Sequence, residues 1–293
     1  MTVLAPSQIE GLSWNEDGFV GLAGPLRALS EEVDRTFLEL ASSLGAERQE
    51  FGPLLAVRDL RRLDYFSSFP HLVTFPASAS IEPENLREFG EANGADAVGP
   101  LHVPRLEAIT SILAPAACYG VYIARENTSL THPLLITVRG TCFRAERSFQ
   151  PLVRQPSFSM REIVHLGNAE SVNAFLHDAR EKVMGIANAW GLAPSIEVAT
   201  DPFFDPERSP KYIHAKLFPS KHELINESVA LASFNNHRNF FGEAFRISLD
   251  GLPVHTACVA FGIERWLFAL LQRHGTGPER WPLDVSAIKA GGR

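Results

Sequence analysis

Apolar side chains recur every three or four residues in three stretches of the chain, and this spacing predicts three amphipathic helices. The first helix begins near Pro25, and Gly45 is placed to end it. Asn168 can cap the second helix, Gly191 closes it, and the third helix ends at Gly275. The predicted apolar faces, in chain order, are Leu26, Leu29, Val33, Phe37, Leu40 and Leu44; Val172, Phe175, Leu176, Val183, Ile186 and Trp190; and Ile263, Trp266, Leu267, Leu270 and Leu271.

Between these helices lie runs of residues that are typical of strands. The predicted strands are residues 46–51, 119–124 and 134–138, two strands within 140–167 joined by a loop at about 148–156, and a hairpin that runs from FRISL through Asp250-Gly251 to VHTACVAFG. Residues 54–66 are predicted as a further helix, and the polar stretch 81–97 as an excursion on the surface. Strands linked by hairpins, with helices between the groups, indicate an α+β fold built on an antiparallel sheet.

The composition is that of a folded globular protein, with 45% hydrophobic and 21% charged residues in a chain of 293. We expect an irregular segment at 1–24 and a single domain over 25–293. A net charge of −7 disfavours a protein whose main partner is nucleic acid, because phosphate binding needs clustered lysine and arginine. Three widely spaced cysteines form no disulfide framework, and no secretory signal or long apolar run is present. We therefore expect a cytoplasmic protein without a membrane span.

The sequence lacks the short motifs of several large enzyme classes. It contains no GxxxxGKS or GxxxxGKT, no GxGxxG after a strand, and no GxSxG, HExxH or CxxC, which disfavours P-loop enzymes, Rossmann oxidoreductases, α/β-hydrolases and zincins. Charged residues do stand at the ends of apolar strands and helices, where burial costs several kcal/mol unless each charge has a partner or a ligand. They are Arg144 with Glu146, Arg161 with Glu162, and Glu264 with Arg265. Structural ion pairs within the sheet and a ligand site both remain open for them.

Two of these charged segments, in this order and with these elements around them, resemble class II aminoacyl-tRNA synthetases. TCFRAE, at 141–146, resembles motif 2 of those enzymes, and FGIERWLFALL, at 261–271, resembles motif 3. SSLGAERQEFGP, at 42–53, is similar to motif 1, the element of the dimer interface. The resemblance implies a class II synthetase-like antiparallel sheet flanked by helices, and a homodimer.

Further segments are similar to the catalytic core of zinc-dependent, archaeal-type seryl-tRNA synthetases, and still more to their truncated relatives, the amino acid:carrier protein ligases. The resemblance extends from about Leu38 to Asp284, in the segments LAPAACYGVY, TDPFF, SKHEL, ASFNNHRNFFGEAF, HTACVAFGIERW and HGTGPERWP. Those relatives consist of the catalytic domain alone, activate a small amino acid with ATP, and load it onto the phosphopantetheine arm of a carrier protein. The chain departs from the pattern at Asn236, where tyrosine is common, and at Asn239, where aspartate is common. The details of the substrate pocket therefore stay open.

The resemblance implies a role for individual residues in ATP and amino-acid binding. Arg144 and Arg265 would be catalytic, at the α- and γ-phosphates of ATP, with Mg²⁺ sharing the phosphates. The residues implied in ATP binding are Arg144, Glu146, Arg161 and Arg265, of which Glu146 would lie near the adenine amino group. The residues implied in amino-acid binding are Lys221, Glu223 and Asn235.

The resemblance also implies one Zn²⁺ per protomer, with Cys118, Glu162 and Cys258 as its ligands. Three protein ligands leave a fourth position open, which is typical of a catalytic rather than a structural zinc site. Without the resemblance, each cysteine is interpreted as a buried apolar residue, and Cys142 keeps that interpretation. His237 is either a pocket residue or a structural histidine.

The sequence therefore predicts a homodimeric ligase that adenylates a small amino acid, glycine or alanine, and passes it to the thiol of a phosphopantetheinylated carrier protein. A minimal aminoacyl-tRNA synthetase is one alternative, which the lack of a tRNA-binding arm and the negative net charge disfavour. A regulator that binds an amino acid or adenylate without turnover is the other, which the retained motif arginines and zinc ligands disfavour. The carrier would dock on basic residues, and Arg58, Arg61 and Arg62 share one face of the predicted helix at 54–66, unless they are an ordinary solvated face.

Overall fold

The computed structural model describes residues 9–208, 210–283 and 285. Its strands are β1 (Leu12–Trp14), β2 (Val20–Leu22), β3 (Glu47–Gln49), β4 (Leu54–Ala56), β5 (Ser111–Leu113), β6 (Ser129–Leu130), β7 (Leu134–Phe143), β8 (Ser157–Gly167), β9 (Ser195–Ala199), β10 (Lys221–Asn226), β11 (Val229–Arg238), β12 (Ser248–Leu249), β13 (Leu252–Pro253) and β14 (His255–Gly262). Its helices are α1 (Gly24–Ser43), α2 (Val57–Arg62), α3 (Tyr65–Ser68), α4 (Pro83–Ala92), α5 (Tyr119–Ile123), α6 (Ala169–Ala189), α7 (Pro210–Leu217), α8 (Phe240–Phe245) and α9 (Ile263–His274). Within these described ranges, no helix is both long and apolar enough to cross a membrane.

The central sheet has seven strands in the order β3, β7, β8, β14, β11, β10 and β9. Every neighbouring pair is antiparallel except β3 and β7, which run parallel. The two middle strands, β8 and β14, are buried along most of their length, because both of their faces are covered. The predicted α+β fold with an antiparallel sheet is confirmed.

Helices α1, α6 and α9 cover one face of this sheet and form the main core with it. Phe37 of α1 stacks on Phe261 of β14 with ring centroids 4.0 Å apart, and Trp266 of α9 lies 5.0 Å from the Phe37 ring. The apolar faces predicted for the three helices all belong to this core or pack against it. Because side chains alternate along a strand, the residues between the core positions point to the opposite face, where α5 and α8 pack.

The predicted ends of the first two helices are also confirmed. Gly45 follows α1 with a φ of +81°, and Gly191 follows α6 with a φ of +71°, a backbone region that favours glycine. The side-chain oxygen of Asn168 accepts a hydrogen bond of 2.8 Å from the backbone N–H of Ser171, so it caps α6 as predicted.

Two strand predictions are corrected by the structure. Residues 119–124 form the helix α5 rather than a strand, because a short apolar run has no periodicity that separates a buried strand from one buried helical turn. The Asp250-Gly251 turn joins β12 and β13 as predicted, with φ of +52° and +77°. However, the long strand β14 after it pairs with β8 and β11 in the central sheet and not with FRISL.

One helix prediction is corrected as well, and one predicted surface segment contains a helix that was not predicted. Residues 54–66 are β4, α2 and the start of α3, because Asp64 adopts a left-handed φ of +54° that interrupts the helix. Residues 81–97 do lie largely on the surface, but they contain α4, which begins with Pro83 in its first turn.

The chain before α1 forms a hairpin of β1 and β2, although the sequence predicted an irregular segment at 1–24. Oδ1 of Asn15 accepts hydrogen bonds from the N–H groups of Asp17 and Phe19 at 3.1 and 3.0 Å, which closes the turn. Gly18 has a φ of +88°, and a β carbon there would lie 2.7 Å from Pro156 on the loop between β7 and β8. Residues 1–8, 209, 284 and 286–293 lie outside the described residues, and these include the predicted end of the domain at 293 and the end of the resemblance at Asp284. The predicted division of the chain at residue 24 also stays a prediction.

Candidate active site

The candidate site lies on β8, β14 and β11, on the sheet face opposite α1, α6 and α9. Residues directly opposite one another in antiparallel strands share a face. Glu162, Ala260 and Ser233 therefore form one row across the three strands, and Cys258 and Asn235 belong to the next row. Successive rows on one face are about 7 Å apart. The three strands thus bring residues from distant parts of the chain to one surface.

A cleft at one end of this face holds both arginines implied in phosphate binding. Arg144, just after β7, donates from Nε and Nη2 to the carbonyl oxygen of Pro115 at 3.2 and 3.1 Å. Its guanidinium carbon lies 5.1 Å from the ring centroid of Phe158. Arg265, in the first turn of α9, donates from Nε to the carbonyl oxygen of Val153 at 3.0 Å. Both guanidinium groups therefore bond to carbonyl oxygens, which do not neutralise their charge.

The positive charge of Arg144 affects the pKa of Arg265 in this cleft. Burial first, and then the positive charge of Arg144, lower the pKa of Arg265 below its ordinary value. Like charges that lie close together in a partly desolvated cleft attract a polyanion, because its negative charge offsets their repulsion. The cleft is therefore suited to bind several phosphate groups at once.

Lys221 lies at the side of the same cleft between two carboxylates. Its Nζ is 2.9 Å from Oδ1 of Asp201 and 3.1 Å from Oε1 of Glu223. Burial lowers the pKa of Lys221, but the carboxylates of Asp201 and Glu223 outweigh it, so the net pKa is raised and the amine stays protonated. Lys221 and Glu223 thus both line the cleft that holds the two arginines. Asp201 was missed, because only tertiary folding sets its loop beside β10.

Two further acidic residues line the cleft. Oε2 of Glu146 is 3.4 Å from Nη1 of Arg154, and this contact joins the two ends of the loop between β7 and β8. Both carboxylate oxygens of Glu264 accept hydrogen bonds from the N–H of Ser159, at 2.9 and 3.0 Å. Burial raises the pKa of Glu264. The sequence placed Glu146 at this site, whereas it assigned no role to Glu264, Arg154 or Phe158.

Cys118, Glu162 and Cys258 come together beside the cleft, although they are far apart in sequence. Their sulfur atoms and a carboxylate oxygen all lie within 4.8 Å of one another, and all three residues are buried. Cys118 precedes α5, so the helix that replaces the predicted strand places its sulfur. Oε1 of Glu162 accepts hydrogen bonds from the N–H groups of Ala117 and Cys118 at 2.7 and 3.1 Å, which orients the carboxylate.

The donor set of this cluster fits zinc. Two thiolates and a carboxylate are among the ligands that Zn²⁺ binds in proteins, and three protein ligands leave a position open for a further one. Cys142 packs in a separate apolar cluster with Met160 and Ala260, in agreement with its interpretation as a core residue.

Arg161 does not reach the cleft, which corrects the prediction that it binds ATP. It lies on the opposite face of β8 from Glu162, because neighbouring residues of a strand point to opposite faces. Its Nε and Nη2 bond to the two carboxylate oxygens of Asp34 on α1 at 2.7 and 2.8 Å, and its Nη1 donates to Oγ1 of Thr137 at 3.2 Å. Arg161 therefore belongs to a structural ion pair, the other interpretation that the sequence left open for it.

Asn235 turns its amide toward the metal-ligand cluster. Its Nδ2 donates to Sγ of Cys258 at 3.3 Å and to Oγ of Ser233 at 3.1 Å. His237, two residues further along β11, also faces the cluster, with Nε2 3.7 Å from the sulfur of Cys258. Asn235 therefore lies beside the metal-ligand cluster, with its amide bonded to one of the cysteines.

The two residues that depart from the family pattern bond elsewhere. Nδ2 of Asn236 donates to Oδ1 of Asn173 on α6 at 2.9 Å, on the opposite face of β11 from Asn235. Nδ2 of Asn239 donates to Oε1 of Glu243 on α8 at 2.6 Å. Neither residue lines the arginine cleft.

Known proteins resemble this chain over most of its length. A protein of Bradyrhizobium diazoefficiens named amino acid–acyl-carrier-protein ligase 1 is 33% identical over 273 residues, which cover 89% of this chain and 82% of that protein. The chain belongs to this ligase family. Amino acid–acyl-carrier-protein ligase 2 of the same organism is 31% identical over 288 residues, which cover 93% of this chain and 84% of that protein. The protein is therefore an enzyme of the ligase class, although no protein-family model matches it.

The solved structure of another protein has the same fold as the ligase. The seryl-tRNA synthetase of M. kandleri, in a crystal structure with A. aeolicus tRNASec, superimposes with a TM-score of 0.81 at 22% identity. The superposition covers 98% of the ligase and 59% of that chain, so the ligase spans about three fifths of the synthetase. The ligase thus has the class II aminoacyl-tRNA synthetase catalytic fold, as the sequence predicted.

Proposed function

We propose that this ligase activates a small amino acid, glycine or alanine, with ATP and transfers it to the phosphopantetheine thiol of a carrier protein. The names of its two relatives support an amino acid and a carrier protein as the groups that it joins. The observation that carries the ATP step is the pair Arg144 and Arg265, whose charges share one cleft without neutralisation by their bonded partners.

In the first step, the carboxylate of the amino acid attacks the α-phosphorus of ATP. The bond to the β-phosphate oxygen breaks, which gives an aminoacyl adenylate and pyrophosphate. Negative charge spreads over the phosphoryl oxygens as this happens, so fixed positive groups at those oxygens lower the barrier. Arg144 would contact the α-phosphate and Arg265 the γ-phosphate, with Mg²⁺ sharing the charge. Glu146, near the start of the loop between β7 and β8, would accept a hydrogen bond from the adenine amino group.

We also propose that Cys118, Glu162 and Cys258 hold one Zn²⁺ in each protomer. Zinc at this position would bind the unprotonated α-amino group of the substrate. The protein buries the three ligands next to the cleft and holds Glu162 by two backbone N–H groups. Lys221 and Glu223, at the side of the cleft, would contact the amino acid that lies between the metal and the phosphates.

In the second step, the carrier thiol attacks the carbonyl carbon of the adenylate, AMP leaves, and a thioester forms. We propose that the carrier docks on the arginines of α2, because carrier proteins are usually acidic and charge complementarity speeds association. The side chain of Arg58 is 81% exposed and lies 3.7 Å from the carboxylate of Asp59. Arg62 pairs with Glu126. Arg61, exposed on the same helix, completes the basic surface.

ATP–pyrophosphate exchange tests the first step. The ligase, with zinc and magnesium supplied, is assayed with each standard amino acid in turn. We expect exchange that depends on the amino acid and is strongest with glycine or alanine. Exchange with none of them would support a regulator that binds without turnover and would contradict the enzymatic proposal.

Acceptor labelling tests the second step. Enzyme, ATP and radiolabelled amino acid are incubated in parallel with holo-carrier, apo-carrier and bulk tRNA. We expect label on the holo-carrier alone, because only that protein bears the phosphopantetheine thiol. Label on tRNA would instead make the protein a minimal aminoacyl-tRNA synthetase. Arg58→Glu should slow the labelling of the carrier and leave exchange unchanged, whereas equal labelling would place the docking surface elsewhere.

We further propose that the ligase is a cytoplasmic homodimer that associates through α1 and β3, the elements of the motif 1 resemblance. Its catalytic domain would extend over residues 25–293. Light scattering of the purified protein measures the state of association directly. A mass of one chain at micromolar concentration would contradict the dimer.

A further inference from the structure

The sulfur of Cys258 lies close to two side-chain nitrogen atoms of the neighbouring strand β11. Asn235 lies directly opposite Cys258 in the sheet, and its Nδ2 is 3.3 Å from the sulfur. The Nε2 atom of His237 is 3.7 Å from the same sulfur. Both side chains face the metal-ligand cluster, although the register of β11 against β14 shifts between Asn236 and Arg238. One of the three proposed zinc ligands is therefore surrounded by hydrogen-bonding groups.

The surroundings of His237 determine which of its ring nitrogens carries the proton. Its Nδ1 lies 3.2 Å from Oγ1 of Thr256 and 3.4 Å from the hydroxyl of Tyr122, and both hydroxyls can donate to it. A metal-bound thiolate can only accept a hydrogen bond. A proton on Nε2 satisfies all of these groups, whereas a proton on Nδ1 would leave the lone pair of Nε2 facing the sulfur. Phe241 packs edge-on against the imidazole with ring centroids 4.9 Å apart, which restricts its rotation.

We propose that Asn235 and His237 tune the metal site by hydrogen bonding to the Cys258 sulfur, and that Thr256 and Tyr122 orient His237 for this role. The inference rests on the zinc site that we propose for this ligase. Each N–H bond stabilises the charged thiolate and holds the sulfur in place for the metal. Asn235 and His237 are positioning residues here, since neither belongs to the metal-ligand cluster.

Zinc affinity, measured by competition with a chromophoric chelator, tests the proposal. His237→Phe removes the N–H group and keeps a planar ring, and we expect it to weaken zinc binding by about 10- to 100-fold, the usual effect of losing an outer-shell partner of a metal ligand. His237→Gln retains an amide N–H and should recover part of the loss. Thr256→Val should weaken binding in the same direction but less.

His222→Phe is the matched control. His222 lies on the adjacent strand β10, and its Nδ1 is 2.9 Å from Arg180 of α6, on the opposite side of the sheet from the metal cluster. This variant should bind zinc like the wild type. Circular dichroism of the metal-free proteins checks that each variant folds. If His237→Phe does not fold, Asn235→Ala carries the test, because Asn235 is only partly buried.

Cobalt substitution separates a hydrogen-bonding role from ligation. We expect the cobalt-loaded wild type and His237→Phe to show the same coordination number, with only the sulfur-to-cobalt band shifted. Loss of a nitrogen ligand in the variant would make His237 a ligand and overturn the proposal. Zinc binding by His237→Phe and Asn235→Ala as tight as that of the control would overturn it as well. A wild-type ligase without stoichiometric zinc would overturn the zinc site itself, and this inference with it.

Discussion

The buried ion pair of Asp34 and Arg161 offers the sharpest test of the difference between a structural arginine and one that binds ATP. Asp34→Ala would leave the guanidinium of Arg161, whose side chain is 2% exposed, without its carboxylate. Breaking a buried pair from one side costs about 3–5 kcal/mol, because an uncompensated charge stays buried. Arg139 lies 3.6 Å from the same carboxylate, but its side chain is 46% exposed, so the loss of this second contact should add less than about 1 kcal/mol.

Thermal and urea unfolding measure this cost. At about 2 °C per kcal/mol, the melting temperature of Asp34→Ala should fall by about 6–10 °C. Arg35→Met is the matched control, because Arg35 also lies on α1 and pairs with Glu39 at 2.6 Å, but its side chain is 57% exposed. Losing this surface pair should cost less than about 1 kcal/mol. Asp34→Leu combined with Arg161→Met removes both buried charges and should restore most of the stability.

The same double variant decides whether Arg161 has any role in substrate binding. Arg161 faces α1 and not the cleft, so the folded double variant should keep the KM for ATP of the wild type in the exchange assay. A KM raised about tenfold or more in a variant of near-normal stability would show that Arg161 contacts ATP after all. A loss of less than about 1 kcal/mol in Asp34→Ala would show that the pair contributes little to stability.

Three further predictions concern the cleft, the metal site and a buried phenol. Arg265→Ala should lower the exchange rate about 10²- to 10³-fold. Arg273→Ala, on the exposed side of the same helix, should leave the exchange rate unchanged. Equal exchange rates in the two variants would contradict the phosphate contact of Arg265. Cys258→Ser should fold but contain no zinc by atomic absorption, while Cys142→Ala keeps its zinc. Stoichiometric zinc in Cys258→Ser would show that Cys258 is not a zinc ligand. Burial raises the pKa of Tyr65 from 10.0 to about 12, so its phenol ionises only in the unfolded chain between these pH values. The free energy of unfolding of the wild type should therefore fall by about 2–3 kcal/mol more between pH 10 and 12 than that of Tyr65→Phe. The same fall in both proteins, measured by urea unfolding, would contradict the raised pKa of Tyr65.

The long elements could be predicted from the sequence because each has a repeated local pattern. The helix α6 is specified by its apolar period, by the cap at Asn168 and by the glycine after its last turn. The segment 119–124 has no such repeat, and its helical turn is decided by the apolar cluster in which Val121 and Tyr122 are buried. Tertiary packing therefore decided the short elements, and it also folded 9–23 into a hairpin.

The sequence predicted those residues of the candidate site that belong to recognisable motifs. Arg144, Glu146 and Arg265 were assigned to the cleft from their motifs, and all three line it. Asp201 could not be found in this way, because it reaches Lys221 only after its loop folds against β10. Which face of a strand a residue occupies is also a tertiary property, and the error at Arg161 arose there.

The strand β8 contributes to the core on one face and to the candidate site on the other. Arg161 and Glu162 are neighbours on β8, and Oγ1 of Thr137 links them, since it donates to the carbonyl oxygen of Glu162 at 3.0 Å and lies 3.2 Å from Nη1 of Arg161. A slip of one residue would exchange their faces. A slip in one direction would bring Glu162 to the carboxylate of Asp34, and a slip in the other direction would bring Arg161 to the two cysteines. Both exchanges bring unfavourable partners together, so the ion pair with α1 and the metal-ligand cluster specify the same register of β8 from its two sides.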